Sequence, residues 1–359
     1  MTAPTVEAVT SALSDFADPE TGRSALQQGQ IKDIDVSGSN IALTLALSTH
    51  SAPLREATVA ELQQLLRGKF PGVEKVEVRT AIHDRPPLAL GEIGLTAKSV
   101  IAVGSGKGGV GKSTIASGIA WGLHRAGCKV GLMDADVYGP SIPHLLGLSG
   151  RPEIDENRKI RPAVLDGMKM MSMGLLVAPG EAVVWRGPML HGAITQMLRD
   201  TAWGALDYLI IDMPPGTGDI ALTLSQILPL TGAVVVCTPQ DVALLDAVKA
   251  ITMFRRVNIP LLGMVENMSY FLCPDNGKRY DIFGTGGAQR KAGELNVPFL
   301  GELPINIQIR VNGDEGKIDA NFTNGETAPY FETIVRQLVR NISQSAKAAK
   351  PLPSLSVLK

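Results

Sequence analysis

Cysteine is the scarce residue of this 359-residue chain: there are three, Cys128, Cys237 and Cys273. Three thiols so far apart make no disulfide scaffold, and the expected compartment is the cytoplasm. The five histidines, at 50, 83, 124, 144 and 191, show no metal-ligand spacing with any cysteine. An excess of either charge is also missing. A net charge of −1 gives no global field to draw nucleic acid or an anionic membrane, so neither is an expected partner. No apolar run reaches the length of a membrane span. Met1 to Phe16 has neither the basic leader nor the continuous apolar region of a secretory signal. Hydrophobic residues, by contrast, make up 45% of the chain, ample for a sizeable core and, at this length, for more than one domain.

One run carries most of the chemistry. Gly106-Lys107-Gly108-Gly109-Val110-Gly111-Lys112-Ser113-Thr114 fits G-x-x-x-x-G-K-[ST]; the apolar stretch Ser99 to Val103 precedes it and a helical segment, Ile115 to Ala126, follows. Strand, glycine loop and helix together distinguish a phosphate site from a flexible glycine turn. The glycines let successive backbone N–H groups converge on phosphates, and the helix N-terminus adds a favourable dipole. Lys112 is expected to neutralise the phosphates of ATP, and the Ser113 hydroxyl to ligate Mg²⁺. Lys107 is surplus to that task. Either it is a solvated loop lysine, or it reaches a neighbour's phosphates across a dimer face, the lysine counterpart of an arginine finger supplied in trans.

Residues 1–82 read as a small α+β domain. A helical start (Val6 to Phe16) leads to the turn Asp18-Pro19-Glu20. Strands Ile31 to Val36 and Ile41 to Leu47 follow, then a helix from Leu54 to Gly68 and a strand from Val73 to Arg79. Residues 83–95, with Asp84-Arg85-Pro86-Pro87, look like a linker. From 96 to 345 strands and helices alternate, which predicts an α/β P-loop NTPase domain with a mostly parallel, doubly wound sheet. Strands are expected at 99–103, 129–133, 207–211, 232–237, 261–265 and 298–301, and helices at 113–126, 190–201, 218–227, 241–257 and 327–342. Functional groups should gather at the carboxyl ends of the strands. The tail, 346–359, carries two prolines and reads as mobile.

Two acidic motifs sit at predicted strand ends. Asp134-Ala135-Asp136 closes one, and Asp212-Met213-Pro214-Pro215-Gly216-Thr217-Gly218-Asp219 follows another. Asp212 is the choice for holding a Mg²⁺-bound water, and the glycine–proline run after it would let that loop shift when the γ-phosphate leaves. Asp136 is placed to orient or deprotonate the attacking water. Asp134 is structural or Mg²⁺-associated; helix capping is the plain alternative for these acids. Asn267, after the strand Leu261 to Val265, is either a reader of the adenine edge or a turn former.

The order G-K-G-G-V-G-K-S-T resembles the deviant Walker A family of dimerising ATPases. Other segments narrow the resemblance to the Mrp/ApbC family of iron–sulfur cluster carrier ATPases. They are Asp134-Ala135-Asp136-Val137-Tyr138-Gly139-Pro140-Ser141, Trp185-Arg186-Gly187-Pro188-Met189, Asp207 to Asp219, Glu266-Asn267-Met268-Ser269-Tyr270 and Ile282-Phe283-Gly284. The first domain resembles the small iron–sulfur assembly domain, including Asp18-Pro19-Glu20. The resemblance implies a homodimer that hydrolyses ATP, slowly as unstimulated P-loop switches do, on the order of 10⁻⁴ to 10⁻² s⁻¹. It implies a labile [4Fe–4S] cluster at the subunit interface, passed to apo iron–sulfur proteins. The chain departs from the pattern at one place that matters. Where the family has C-x-x-C, it has Cys273-Pro274-Asp275-Asn276, and the small domain has Thr49-His50-Ser51-Ala52-Pro53 in place of Thr-x-x-Cys-Pro. A cubane takes four thiolates, so Cys273 leaves three outcomes open. It binds a cluster with its symmetry mate and two non-cysteine ligands, it binds one weakly, or it has lost the cluster while an ATP-driven dimer switch persists. Cys128 and Cys237 read as core thiols. A positioning or partition ATPase is the rival class.

Overall fold

The computed structural model describes residues 4–176, 187–216, 218–323 and 325–348. Trp185-Arg186 and Thr217 of the motifs above, and the tail beyond Ala348, lie outside the described residues. Contacts divide the chain into two compact units, one of Met1–Arg85 with Val339–Lys359, the other of Pro86–Leu338.

The first unit is built on a three-stranded sheet. Helix α1 (Val6–Ala12) starts at Thr5, whose hydroxyl accepts from the Ala8 N–H. Strands β1 (Ile31–Ser37) and β2 (Asn40–Leu47) pair antiparallel, and β3 (Lys75–Ile82) joins β2 in parallel after the crossover helix α2 (Arg55–Lys69). Ile41, Leu43 and Leu45 of β2 alternate onto one face and meet Val9, Leu13, Leu62 and Leu66 in the core. Asp18 is fully buried. Burial by itself raises its carboxyl, but hydrogen bonds from Thr21, Gln30 and Arg85, with the charge of Arg85, outweigh that and hold it below the ordinary carboxylate range. Arg85 also faces Glu20, which accepts from the Ser48 hydroxyl. The acidic turn is thus closed by an arginine, and Ala52 is buried.

The second unit holds a nine-stranded sheet among the described residues, ordered β14 (Phe299–Glu302), β11 (Leu261–Glu266), β10 (Gly232–Cys237), β5 (Leu95–Ser105), β9 (Leu206–Asp212), β6 (Val130–Asp134), β8 (Met168–Ser172) and β7 (Ala163–Leu165), with β4 (Ala89–Leu90) on β5. Strands β4 (Ala89–Leu90) and β5 (Leu95–Ser105) form a hairpin inside the stretch that reads as a linker, because Gly91 and Gly94 adopt the left-handed conformation its turn requires. Helix α3 (Lys112–Arg125), β6 (Val130–Asp134), the short α4 (Ile142–Leu145), the hairpin β7 (Ala163–Leu165) and β8 (Met168–Ser172), α5 (Met173–Leu176) and α6 (Gly187–Asp200) follow. Then come β9 (Leu206–Asp212), α7 (Gly218–Ile227), β10 (Gly232–Cys237), α8 (Asp241–Arg256) and β11 (Leu261–Glu266). A small exposed ribbon, β12 (Phe271–Leu272) with β13 (Arg279–Tyr280), precedes α9 (Gly287–Glu294), β14 (Phe299–Glu302), α10 (Ile307–Asp314) and α11 (Ala328–Ala348).

Central strands β9 and β10 are buried along their whole length, as parallel strands covered on both faces must be. Helix α3 lies close against α11: a methyl on Gly118 would stand 2.3 Å from the Phe331 ring, and one on Gly122 2.8 Å from Val335. Helix α11 continues through Ala348, into the segment read as tail. Ala346, Lys347 and Ala348 are strong helix formers, and propensity carries the helix on past its apolar stripe.

Candidate functional site

Strand β5 runs between β10 and β9, and β6 lies on the far side of β9. The registers Val103↔Asp212 and Asp134↔Asp212 therefore bring three strand ends together beside the glycine loop. That loop, Gly106 to Gly111, turns straight into α3. Gly109 and Gly111 have φ near +78° and +79°, conformations that side chains oppose. Gly106 is held for a different reason: a Cβ there would lie 2.1 Å from the backbone of Asp246 in α8.

Lys112 and Ser113, in the first turn of α3, both reach Asp212. The Lys112 ammonium lies 2.6 Å from one carboxylate oxygen and the Ser113 hydroxyl donates to the other at 2.6 Å. Asp136 stands 3.9 Å from the same ammonium, and its other oxygen accepts from the Gly139 N–H. Lys112 is 7% exposed and Asp212 fully buried. Burial pushes the Asp212 carboxyl up, against the Lys112 charge and the hydrogen bonds of Lys112 and Ser113. These are the groups expected at such a site, and they converge on one point. A lysine, a hydroxyl and a strand-end carboxylate beneath exposed glycine N–H groups fit a nucleotide phosphate with its Mg²⁺.

Asp134 does something else. Its oxygens accept from the N–H of Asp136, the N–H of Ile142 and the Ser172 hydroxyl at 3.0–3.2 Å. It shapes the loop that carries Asp136 and pins the start of α4. Burial, and then the neighbouring Asp212 charge, lift it to about 7. Asn267 donates its amide to the Val110 carbonyl at 2.9 Å, so here its donor faces the loop backbone. Lys107 is half-buried, and its ammonium has no hydrogen bond or ion pair among the described residues; Thr114 lies one position beyond Ser113 and is also half-buried. Pro215 approaches Gly108, and the Gly216 N–H donates to the Ser105 carbonyl at 3.0 Å. The loop after Asp212 therefore rests against the phosphate loop.

The cysteines divide as expected. Cys128 and Cys237 are buried, and burial, reinforced by the Glu266 charge, pushes the Cys237 thiol up to about 12. Cys273 is partly exposed on the β12–β13 ribbon. Its N–H donates to the Lys278 carbonyl, and the Gly277 N–H donates back to the Cys273 carbonyl. Asn276 accepts from the Lys278 N–H at 2.9 Å, closing the turn. Among the described residues no group of three or more His, Cys, Asp or Glu could hold a metal ion. One chain therefore presents a single thiol on this ribbon.

Sequence reasoning did not single out Ser172, which steadies Asp134, or Glu302 and Arg279, which hold the ribbon. The contacts that give them these roles, Ser172 with Asp134 and Arg279 with Glu302, join residues remote in sequence.

Residues 96–339 match the family described as the NUBPL iron-transfer P-loop NTPase, and residues 6–79 match the iron–sulfur cluster assembly protein family. The chain is 44% identical to the iron–sulfur cluster carrier protein of Synechocystis over 95% of its own length and 99% of that protein's. It is 48% identical to the carrier of Deinococcus radiodurans over 86% and 87%. Among solved structures, it resembles an ADP-bound nucleotide-binding protein of Archaeoglobus fulgidus, with a TM-score of 0.56 and 41% identity over 62% of this chain and 88% of that one. The cell-division ATPase MinD of Pyrococcus furiosus shares the fold, with a TM-score of 0.51 at 21% identity over 67% and 98%.

Proposed function

This chain belongs to the Mrp/NUBPL family of iron–sulfur cluster carriers, P-loop NTPases with an iron–sulfur assembly domain ahead, and we propose that it works as a slow, ATP-hydrolysing homodimer. The observation that carries the nucleotide reading is the meeting of Lys112, Ser113 and Asp212 beneath the glycine loop; the Archaeoglobus relative holds ADP. Lys112 binds the phosphates. Ser113 and Asp212, which now share a hydrogen bond, are the residues that would hold Mg²⁺ beside the phosphates. The metal supplies charge to the phosphate oxygens. Asp136, already directed toward Lys112, orients the attacking water. Asn267 turns its amide to the base when nucleotide enters.

Lys107, a loop cation without a partner among the described residues, reaches the phosphates bound by the second copy. Lys107→Ala is expected to leave nucleotide affinity near that of wild type, since the cation serves the other subunit's site, yet to lose ATP-stabilised dimer. Light scattering with a non-hydrolysable ATP analogue checks this, and an equal dimer fraction in variant and wild type rules out the trans role.

The cluster is cargo, carried to apo-proteins. Two copies of Cys273 provide two of the four thiolates a cubane takes, so the remaining ligands are not cysteines of this ribbon. Iron and acid-labile sulfide per dimer after anaerobic reconstitution, wild type beside Cys273→Ser, test the reading. Cluster is expected in the wild type and absent from the variant. Its absence from both would favour the second reading, an ATP-driven dimer switch without a stable cluster, which Asn276 and Ala52 already favour by standing where thiols are usual.

A further inference from the structure

A single segment joins the phosphate loop to the cysteine ribbon. Asn267 holds the Val110 carbonyl, and Cys273 follows six positions later. Between them, Met268 adopts φ +55°, a left-handed conformation that a side chain of this kind resists. Its methyl end lies 3.8 Å from where a Cβ on Gly111 would stand. Ser269 is fully buried, and its hydroxyl oxygen lies 2.5 Å from a Glu266 oxygen and 2.8 Å from a Glu302 oxygen. A hydroxyl has one proton to give. It therefore donates to one of these acids at a time.

The two acids face different parts of the molecule. Glu266 accepts the Ala288 N–H at the start of α9 at 2.6 Å. Glu302 stands 3.8 Å from the guanidinium of Arg279. That arginine lies 3.9 Å over the Tyr270 ring, donates to Asp281 at 2.8 Å and to Thr285 at 3.3 Å, and belongs to the strand paired with Leu272. Backbone bonds from the Ser269 N–H to Leu303 and from the Ile305 N–H to Tyr270 anchor the start of the ribbon, and its side-chain hold on the sheet passes through Arg279 and Glu302 to the hydroxyl that Glu266 shares.

We propose that Ser269 and Arg279 are positioning residues that make the reactivity of the Cys273 thiol depend on the nucleotide held by the phosphate loop. Phosphate drawn into the loop shifts Val110, and with it Asn267 and Met268. Ser269 then changes which acid it serves, and Arg279 changes its hold on the ribbon. The inference rests on the nucleotide reading above. It adds that occupancy is communicated within one subunit, before any dimer closes.

The test is the rate at which N-ethylmaleimide alkylates Cys273 in the full chain, read by peptide mass, with and without MgADP. ADP is used so that closure over γ-phosphates does not enter, and ADP affinity is measured on the same samples. Wild type is expected to change rate at least about fivefold on binding, the lower range of inter-site coupling. Ser269→Ala and the more exposed Arg279→Gln are expected to bind ADP as wild type does yet lose most of that response. A wild type that binds ADP with no change in rate, or a full response kept in both variants, overturns the coupling. A wild type that binds no ADP overturns the nucleotide reading, and the coupling with it.

Discussion

Replacing Lys112 by alanine is expected to slow ATP hydrolysis by about a hundredfold or more, the usual effect of removing one preorganised group from a developing charge. Phosphate release at saturating MgATP reads it. The ammonium is nearly enclosed and lies between Asp212 and Asp136, so no solvent cation takes its place. The same substitution has a second effect. It leaves the Asp212 carboxyl buried without its counter-ion, and breaking such a pair typically costs about 3–5 kcal/mol. Lost activity could then reflect lost fold. The double variant Lys112→Ala with Asp212→Asn separates the two, because it removes the stranded charge along with the cation. Its urea midpoint is expected to recover most of the way to wild type while hydrolysis stays low. Hydrolysis by Lys112→Ala within about threefold of wild type would contradict the role given to this lysine.

The second large effect is expected at Gly106. A methyl there would lie 2.1 Å from the carbonyl carbon and oxygen of Asp246, which belong to a helix backbone and not to a side chain that can turn aside. Helix α8 buries Ala243, Ala247, Ile251 and Phe254 beneath this contact, so it does not retreat freely. Gly106→Ala therefore displaces the loop, and a shift of about 1 Å in a positioned group commonly loses about a hundredfold. ADP affinity by calorimetry is expected to fall about a hundredfold. Gly109→Ala is the companion measurement. Gly109 has a left-handed φ, but a methyl on it meets nothing within 4 Å. It should lose only about 1–2 kcal/mol through backbone strain. Equal losses at the two glycines would show that the helix contact at Gly106 has no special part.

Much of this was legible in the sequence. The apolar runs at Val100–Val103 and Ala233–Val236 and the glycine loop between strand and helix locate the sheet and its phosphate end, because motif and burial agree there. The edge was harder. Strand β8, Met168–Ser172, has no β-branched residue, and α9 buries only Gly287, Ala288 and Ala292; neither shows the periodicity that identifies an element. Within the site, residue types and positions could be read, but partners could not. That Lys112 already pairs with Asp212, or that Asp134 braces a loop through Ser172, follows from which strands lie side by side. The Ser269–Glu302 contact joins residues 33 positions apart, with no local signal at either.

The turn that carries Cys273 owes its shape to Asn276, Lys278 and backbone pairing. Its closure therefore comes from the chain's own groups. A loop that folded around its cargo would lose conformational entropy at each loading and regain it at each release, coupling delivery to a disorder transition. A turn closed by its own hydrogen bonds has less of that entropy to lose, so a group exchanging at Cys273 would meet a thiol already held in place.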